Sequence, residues 1–270
     1  GIPKLAVGVV AAVIAAFIFL GGVRRIASFT EKIVPIMAFF YIVGCIVILC
    51  INHAALIPAF RSIFVAAFDP QAILGGAVGI TVREAMRYGV ARGLFSNEAG
   101  MGSTPHAHAL AKVEKPQDQG EIAIVSVFID TFIVLTLTAL VILTSGQLQA
   151  GVPGALQGTA LAQAAFNFAL GSFGNAFVAI CMLFFAFSTI IGWYFFGEPN
   201  VKALFGQGAT KIYAAIVVVC IVIGSALKVD LVWNLSDLFN GLMVFPNLIA
   251  LLFLSGIVAR AAHDEDIMKK

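Results

Sequence analysis

The sequence predicts an all-α protein, a polytopic bundle of about seven transmembrane helices with one discontinuous helix. Three observations predict it. Of 270 residues, 61% are hydrophobic and only 11% are charged, against about 45–50% and about 25% in an ordinary soluble domain. The mean hydropathy is +1.03. The apolar residues fall in long runs, and one of those runs is interrupted by a cluster of polar residues and glycines. A core cannot hide this much apolar surface, so lipid must be the solvent for much of the chain. The net charge of +2 does not suggest a nucleic-acid partner.

A spanning helix needs roughly 20 apolar residues. The first candidate is Leu5 to Leu20, closed by Gly21-Gly22. The second is Ile33 to Ala54, interrupted near its start by Pro35. The third runs irregularly from about Arg83 to Lys112. The fourth is Ile122 to Leu143, the fifth Gly171 to Phe196 and the sixth Ile212 to Ala226. The seventh is Leu231 to Val258, with a kink expected at Pro246, where the backbone loses a donor. Pro58 to Phe68 and Gly154 to Phe168 are too short or too polar to span and read as interfacial helices. Gly75-Gly76 and Gly79 form a small-xxx-small pattern of the kind that lets helices pack closely. Cys45, Cys50, Cys181 and Cys220 sit in apolar runs, without a CxxC pair, as small hydrophobes.

Seven spans place Arg24, Arg25, Lys32, Lys112, Lys115, Lys202, Lys211, Arg260, Lys269 and Lys270 on one side of the membrane, ten of the sixteen basic residues. By the positive-inside rule that side is the cytoplasm, and the C-terminus lies there. The chain begins at Gly1, a few residues before an apolar helix. That start reads as an interior point of a longer chain, so residues 1–270 are expected to be one transmembrane domain truncated at its N-terminus.

The chemistry concentrates in Arg92-Gly93-Leu94-Phe95-Ser96-Asn97-Glu98-Ala99-Gly100-Met101-Gly102-Ser103-Thr104-Pro105. This stretch sits at membrane depth, yet carries an acid, an amide, three glycines and three hydroxyls. Gly100 and Gly102 weaken a helix by roughly 1 kcal/mol each, and Pro105 suits the first turn of a new one. The expectation is two half-helices with a break near Asn97 to Gly102. Backbone groups left unpaired in hydrocarbon cost several kcal/mol each, so a break persists where protein, water, an ion or a ligand pairs them. The start of the second half suits a carboxylate and the carbonyls ending the first suit a cation, so a zwitterionic amino acid satisfies both. Ionisable groups at membrane depth are functional candidates. They are Glu98, for which Arg92 is the expected neutralising partner across the break, and Asp130 in the fourth span. Glu198, at the inner end of the fifth span, is a gate or an interface charge. His106 and His108 are expected near the cytoplasmic end of the second half-helix.

Residues 92–103, followed by Pro105, resemble the signature of the alanine or glycine:cation symporter family. Gly21-Gly22-Val23-Arg24-Arg25-Ile26-Ala27, Ser188-Thr189-Ile190-Ile191-Gly192-Trp193 and Pro246-Asn247 are similar to family positions too, so the resemblance covers essentially the whole chain. It implies a LeuT-type fold of two inverted repeats, the seven spans being core helices four to ten. It implies sodium-driven, or in some members proton-driven, uptake of alanine, glycine or close relatives across a prokaryotic inner membrane. Sodium is then the coupling ion, with no cofactor, no obligate protein partner, and the amino acid and the bilayer as partners. The resemblance places Phe95, Ala99, Gly100, Thr189 and Trp193 around the substrate and Ser188 and Thr189 on sodium. Arg92, Asn97, Glu98, Gly102, Ser103 and Asp130 are structural or gating residues on this reading. For Ser188 and Thr189 the alternative is back-bonding to the preceding turn. The family also has spans upstream, including a first broken helix, and the alternative reading is that this chain is an inactive fragment of such a transporter. An intramembrane enzyme using Ser96 or Ser103 with Glu98 lacks a base–nucleophile motif. A channel would conduct ions without substrate.

Overall fold

A computed structural model describes residues 3–68, 82–149, 152 and 154–262. Gly75, Gly76 and Gly79 lie outside these residues, as do Lys269 and Lys270 of the expected cytoplasmic tail. The described residues are helical, without a strand. In chain order the helices are α1 (Lys4–Phe19), α2 (Gly22–Ile51), α3 (His53–Phe68), α4 (Val82–Asn97) and the single-turn α5 (Pro105–His108). There follow α6 (Pro116–Phe128), a π-helical segment (Ile129–Leu135), α7 (Thr136–Thr144), α8 (Gly158–Leu170), α9 (Ser172–Phe205), α10 (Ala209–Ala226) and α11 (Val229–Ala262).

Among the described residues five stretches are long and apolar enough to cross a membrane: Arg25–Ile51, Pro116–Thr144, Ser172–Phe205, Ala209–Ala226 and Val229–Ala261. They correspond to five of the seven expected spans. The other two differ from expectation. α1 is apolar but has only 16 residues, and the third span is cut at Asn97. Boundaries also shift. α2 starts at Gly22 and runs through Pro35 without a stop, and α9 continues past Phe196 through Pro199. A proline removes one helical hydrogen bond, a loss that helices in lipid tolerate where neighbours re-satisfy the freed carbonyl. No residue of the apolar window of α11 is buried, and Phe253 there is 85% exposed. Apolar side chains as exposed as this suit lipid as their solvent, while Ser236, Asp237, Asn240 and Asn247 lie on a half-buried face of the same helix.

The chain divides into two compact units. One contains residues 30–89 and 129–188. Its core joins Tyr41, Cys45, Ile48 and Leu49 of α2 to Leu140 and Val141 of α7, Ala165 and Phe166 of α8, and Val178 and Cys181 of α9. Phe166 is fully buried and stacks on Tyr41 and on Phe177, with centroids 5.9 and 5.7 Å apart. Tyr41 and Thr138 share a 2.8 Å hydrogen bond between their hydroxyls. The helix expected after Gly154 is α8, held to this core by Ala165 and Phe166.

The other unit contains residues 1–29, 90–128 and 189–270. In it α1 packs along α10, where a Cβ on Gly8 would meet the Ser225 hydroxyl. Phe19, Tyr194 and Tyr213 form a stack of three rings, one each from α1, α9 and α10, with centroid distances of 3.7 and 5.2 Å. This unit also holds the break.

Candidate functional site

Helix α4 ends at Asn97, and the chain then turns left-handed three times. Glu98 has φ 51°, Gly100 φ 72° and Gly102 φ 77°. Glycine adopts this region freely, but a glutamate does so at a cost. Two hydrogen bonds offset that cost. The hydroxyls of Ser103 and Thr104 both donate to Glu98 Oε2, at 2.8 and 2.9 Å. Such bonds to a carboxylate are stronger than neutral ones. Ser103 is buried, with 1% of its surface exposed. The segment therefore folds back on its own acid, and Ala99 and Gly100 are left exposed between these anchors. Glu98→Gln keeps an acceptor but removes the charge. It should lower the thermal midpoint of the purified protein, and Glu98→Ala by more, as thermal unfolding in detergent would show.

Arg92 is not the partner of Glu98. Its guanidinium donates two parallel bonds, Nη1 to Asp237 Oδ1 at 2.9 Å and Nη2 to Asp237 Oδ2 at 3.1 Å. It also lies 4.2 Å over the ring of Trp233. Trp233 and Asp237 are one turn apart on α11, so one arginine meets both. Trp233 stands edge-on to Phe95 at 5.7 Å, and Phe95 lies near-parallel to Trp193 of α9 at 6.5 Å. Phe95 and Trp193, which the resemblance set around a substrate, are thus brought together, with Trp233 beside them.

The second half-helix, α5, is four residues long with Pro105 in its first turn. The break falls where the sequence put it, but the helix after it is too short for the anion-binding dipole expected of it. Pro105 to Ala111 bury no side chain, and a helix this short needs packing to persist. It is held by side chains instead. His106 Nδ1–H donates to the Ser103 carbonyl at 3.0 Å, and Asn200 of α9 donates to His106 Nε2 at 2.9 Å. His108 pairs with Gln119 of α6. On the other side of the break, Asn247 of α11 donates to the Gly100 carbonyl at 2.9 Å.

Ser188 donates to the Phe185 carbonyl at 3.0 Å, the back-bonding alternative that the sequence left open. Asp130 lies in the π-helical segment. Sequence reasoning did not single out Asp237, Trp233 or Asn200. Asp237 carried a signal, being an acid within an apolar span. Trp233 and Asn200 carried none.

Residues 1–269 match the profile of the sodium:alanine symporter family. The chain belongs to that family. It is 42% identical over 260 residues to the sodium/alanine symporter AgcS of Methanococcus maripaludis, a match covering 96% of this chain and 56% of the relative. It is 40% identical over 272 residues to the probable sodium/glutamine symporter GlnT of Bacillus subtilis, covering 100% and 55%. To the sodium/proton-dependent alanine carrier protein of Bacillus sp. (strain PS3) it is 35% identical over 269 residues, covering 94% and 60%. The chain spans a little over half the length of these relatives. The sodium:alanine symporter family is one of transporters, and the membrane helices above agree with it. An enzyme built on Ser96 or Ser103 finds no support there.

Proposed function

We propose that this chain works within a sodium-coupled symporter that moves a small neutral amino acid, alanine or glycine, by alternating access. The observation that carries the reading is the break at Glu98–Thr104, in a member of this family. Helix α4 stops at Asn97 and leaves the Ala99–Gly100 backbone exposed beside a wall of Phe95 and Trp193. A zwitterion has both charges to offer such a backbone. Ala99 and Gly100 leave room for a small ligand, which favours alanine or glycine over the glutamine named for the Bacillus subtilis relative.

With α1 and the broken segment counted as crossings, the chain crosses the membrane seven times, in the order of LeuT-type core helices four to ten. Its basic loops and C-terminus then face the cytoplasm across a prokaryotic inner membrane. Sodium is the coupling ion, held by Thr189 and Ser188 together with carbonyls. Sodium and substrate stabilise the same closed state, and the ion gradient drives the cycle.

Thr189→Ala tests the ion site in the complete carrier. The sodium concentration for half-maximal uptake should rise about tenfold, with the alanine KM at saturating sodium little changed. An unaltered sodium dependence removes Thr189 from the site. Proton coupling, named for the Bacillus sp. (strain PS3) relative, would show as uptake driven by a pH gradient without sodium.

A further inference from the structure

Helix α11 grips the broken segment at two heights. Asp237 takes Arg92, and ten residues on Asn247 takes the Gly100 carbonyl. At about 1.5 Å per residue, the ten residues from Asp237 to Asn247 span about 15 Å, and the lower grip takes Arg92 on α4 while the upper takes Gly100 beyond its end. The two stretches therefore run in the same direction side by side. The second grip is closer than a single hydrogen bond. An added Cβ at Gly102 would lie 2.8 Å from Asn247 Oδ1, 3.0 Å from its Cγ and 3.2 Å from its Cβ. The whole Asn247 side chain fills the open side of Gly102 while its amide holds Gly100. Among the described residues Asn247 is the partner that the Gly100 carbonyl finds on another helix, and Gly100 belongs to the exposed stretch.

We propose that Asn247 is a positioning residue for the substrate. Its carboxamide ties the Ala99–Gly100 backbone to α11 and turns the Gly100 carbonyl away from the ligand, so that the neighbouring backbone groups keep the orientation that binds it. The inference rests on the transport reading above. Pro246, which precedes Asn247, frees the Leu242 carbonyl from the helix ladder and gives α11 a point of compliance beside the grip. Asn247 therefore sets affinity, and the rate of turnover does not depend on it.

The test is uptake of radiolabelled alanine by the complete carrier in proteoliposomes, with Asn247→Asp and Asn247→Ala. Asp is the same size but presents an oxygen to the Gly100 carbonyl. The alanine KM should rise about tenfold for Asn247→Asp and about fivefold for Asn247→Ala, with the maximal rate per inserted carrier within about twofold of the parent. A side chain that only stabilises the fold would lower the maximal rate and leave KM alone, and that result overturns the proposal. A double-mutant cycle reads the contact without transport. Gly102→Ala should lower the thermal midpoint of the purified protein less in the Asn247→Ala background than in the parent, because the contacts with Oδ1 and Cγ are gone while the one with Cβ and the φ strain are common to both. Additive losses would mean that Asn247 does not hold the break, and overturn the proposal. If the parent carrier shows no sodium-dependent uptake, the transport reading falls, and the cycle still decides the contact.

Discussion

Arg92→Ala is expected to reduce substrate uptake by tenfold or more. The substitution does three things at once. It leaves the Asp237 carboxylate without its two hydrogen bonds. It removes the cation from the face of Trp233, 4.2 Å away. It also frees Trp233, and through it Phe95, which stands 5.7 Å from it. Breaking one side of a buried ion pair costs about 3–5 kcal/mol. The side chains here are 38% and 27% exposed, so solvent screening brings the expected loss of stability to about 2 kcal/mol. Arg92→Lys keeps the charge but not the planar two-point grip, and should fall between. The sign of the double mutant is the sharper prediction. Arg92→Ala with Asp237→Ala leaves no unpaired charge, so stability should recover most of the loss, as thermal unfolding in detergent would show. Uptake should stay low, because Trp233 and Phe95 are still unheld. Equal stability of the single and double mutants would show that the pair is not closed in the working protein.

A second large effect is expected far from the break. Gly174 lies in the first turn of α9, just after the turn at Gly171 that leaves α8. A Cβ there would sit 2.5 Å from the backbone carbon and oxygen of Phe166 and 2.7 Å from the amide of Asn167. These are main-chain atoms and cannot swing aside. Phe166 itself is locked between Tyr41 and Phe177 in the buried core. Gly174→Ala should therefore destabilise the protein by about 2 kcal/mol through overpacking, outweighing the gain of about 1 kcal/mol that alanine brings to a helix. Gly174→Val should prevent a stable fold. Gly224→Ala is the control: its Cβ would meet nothing within 4 Å, so the same substitution there should be neutral or mildly stabilising. A matched fall in midpoint for both glycines would contradict the packing at α8 and α9.

The parts of this protein that were legible in its sequence are those set by local composition. Long apolar runs gave the helices, and the glycines and hydroxyls between Asn97 and Pro105 gave the position of the break, which the structure places after Asn97 and before Pro105. What could not be read is what the break touches. Arg92 finds its acid 145 residues away, and Gly100 its amide 147 residues away, and no spacing rule reaches that far. The choice of Arg92 for Glu98 was the nearest opposite charge in the chain. The left-handed turn at Glu98 instead brings Ser103 and Thr104, five and six residues on, to its carboxylate. Pro35, read as an interruption near the start of the second span, lies well inside α2, which begins at Gly22, and Pro199 lies inside α9. The π-helical turn at Ile129–Leu135 has no mark in its composition that separates it from the α-helix on either side.

The central claim is that an inward sodium gradient drives a small neutral amino acid through the carrier to which this chain belongs. The most direct measurement is uptake of radiolabelled alanine by the complete carrier in proteoliposomes, with and without that gradient. Accumulation above the external concentration should appear only when the gradient is present, collapse when sodium is equal on both sides and be competed by glycine. Accumulation indifferent to sodium, or none from complete and well-inserted protein with any small neutral amino acid, would contradict it.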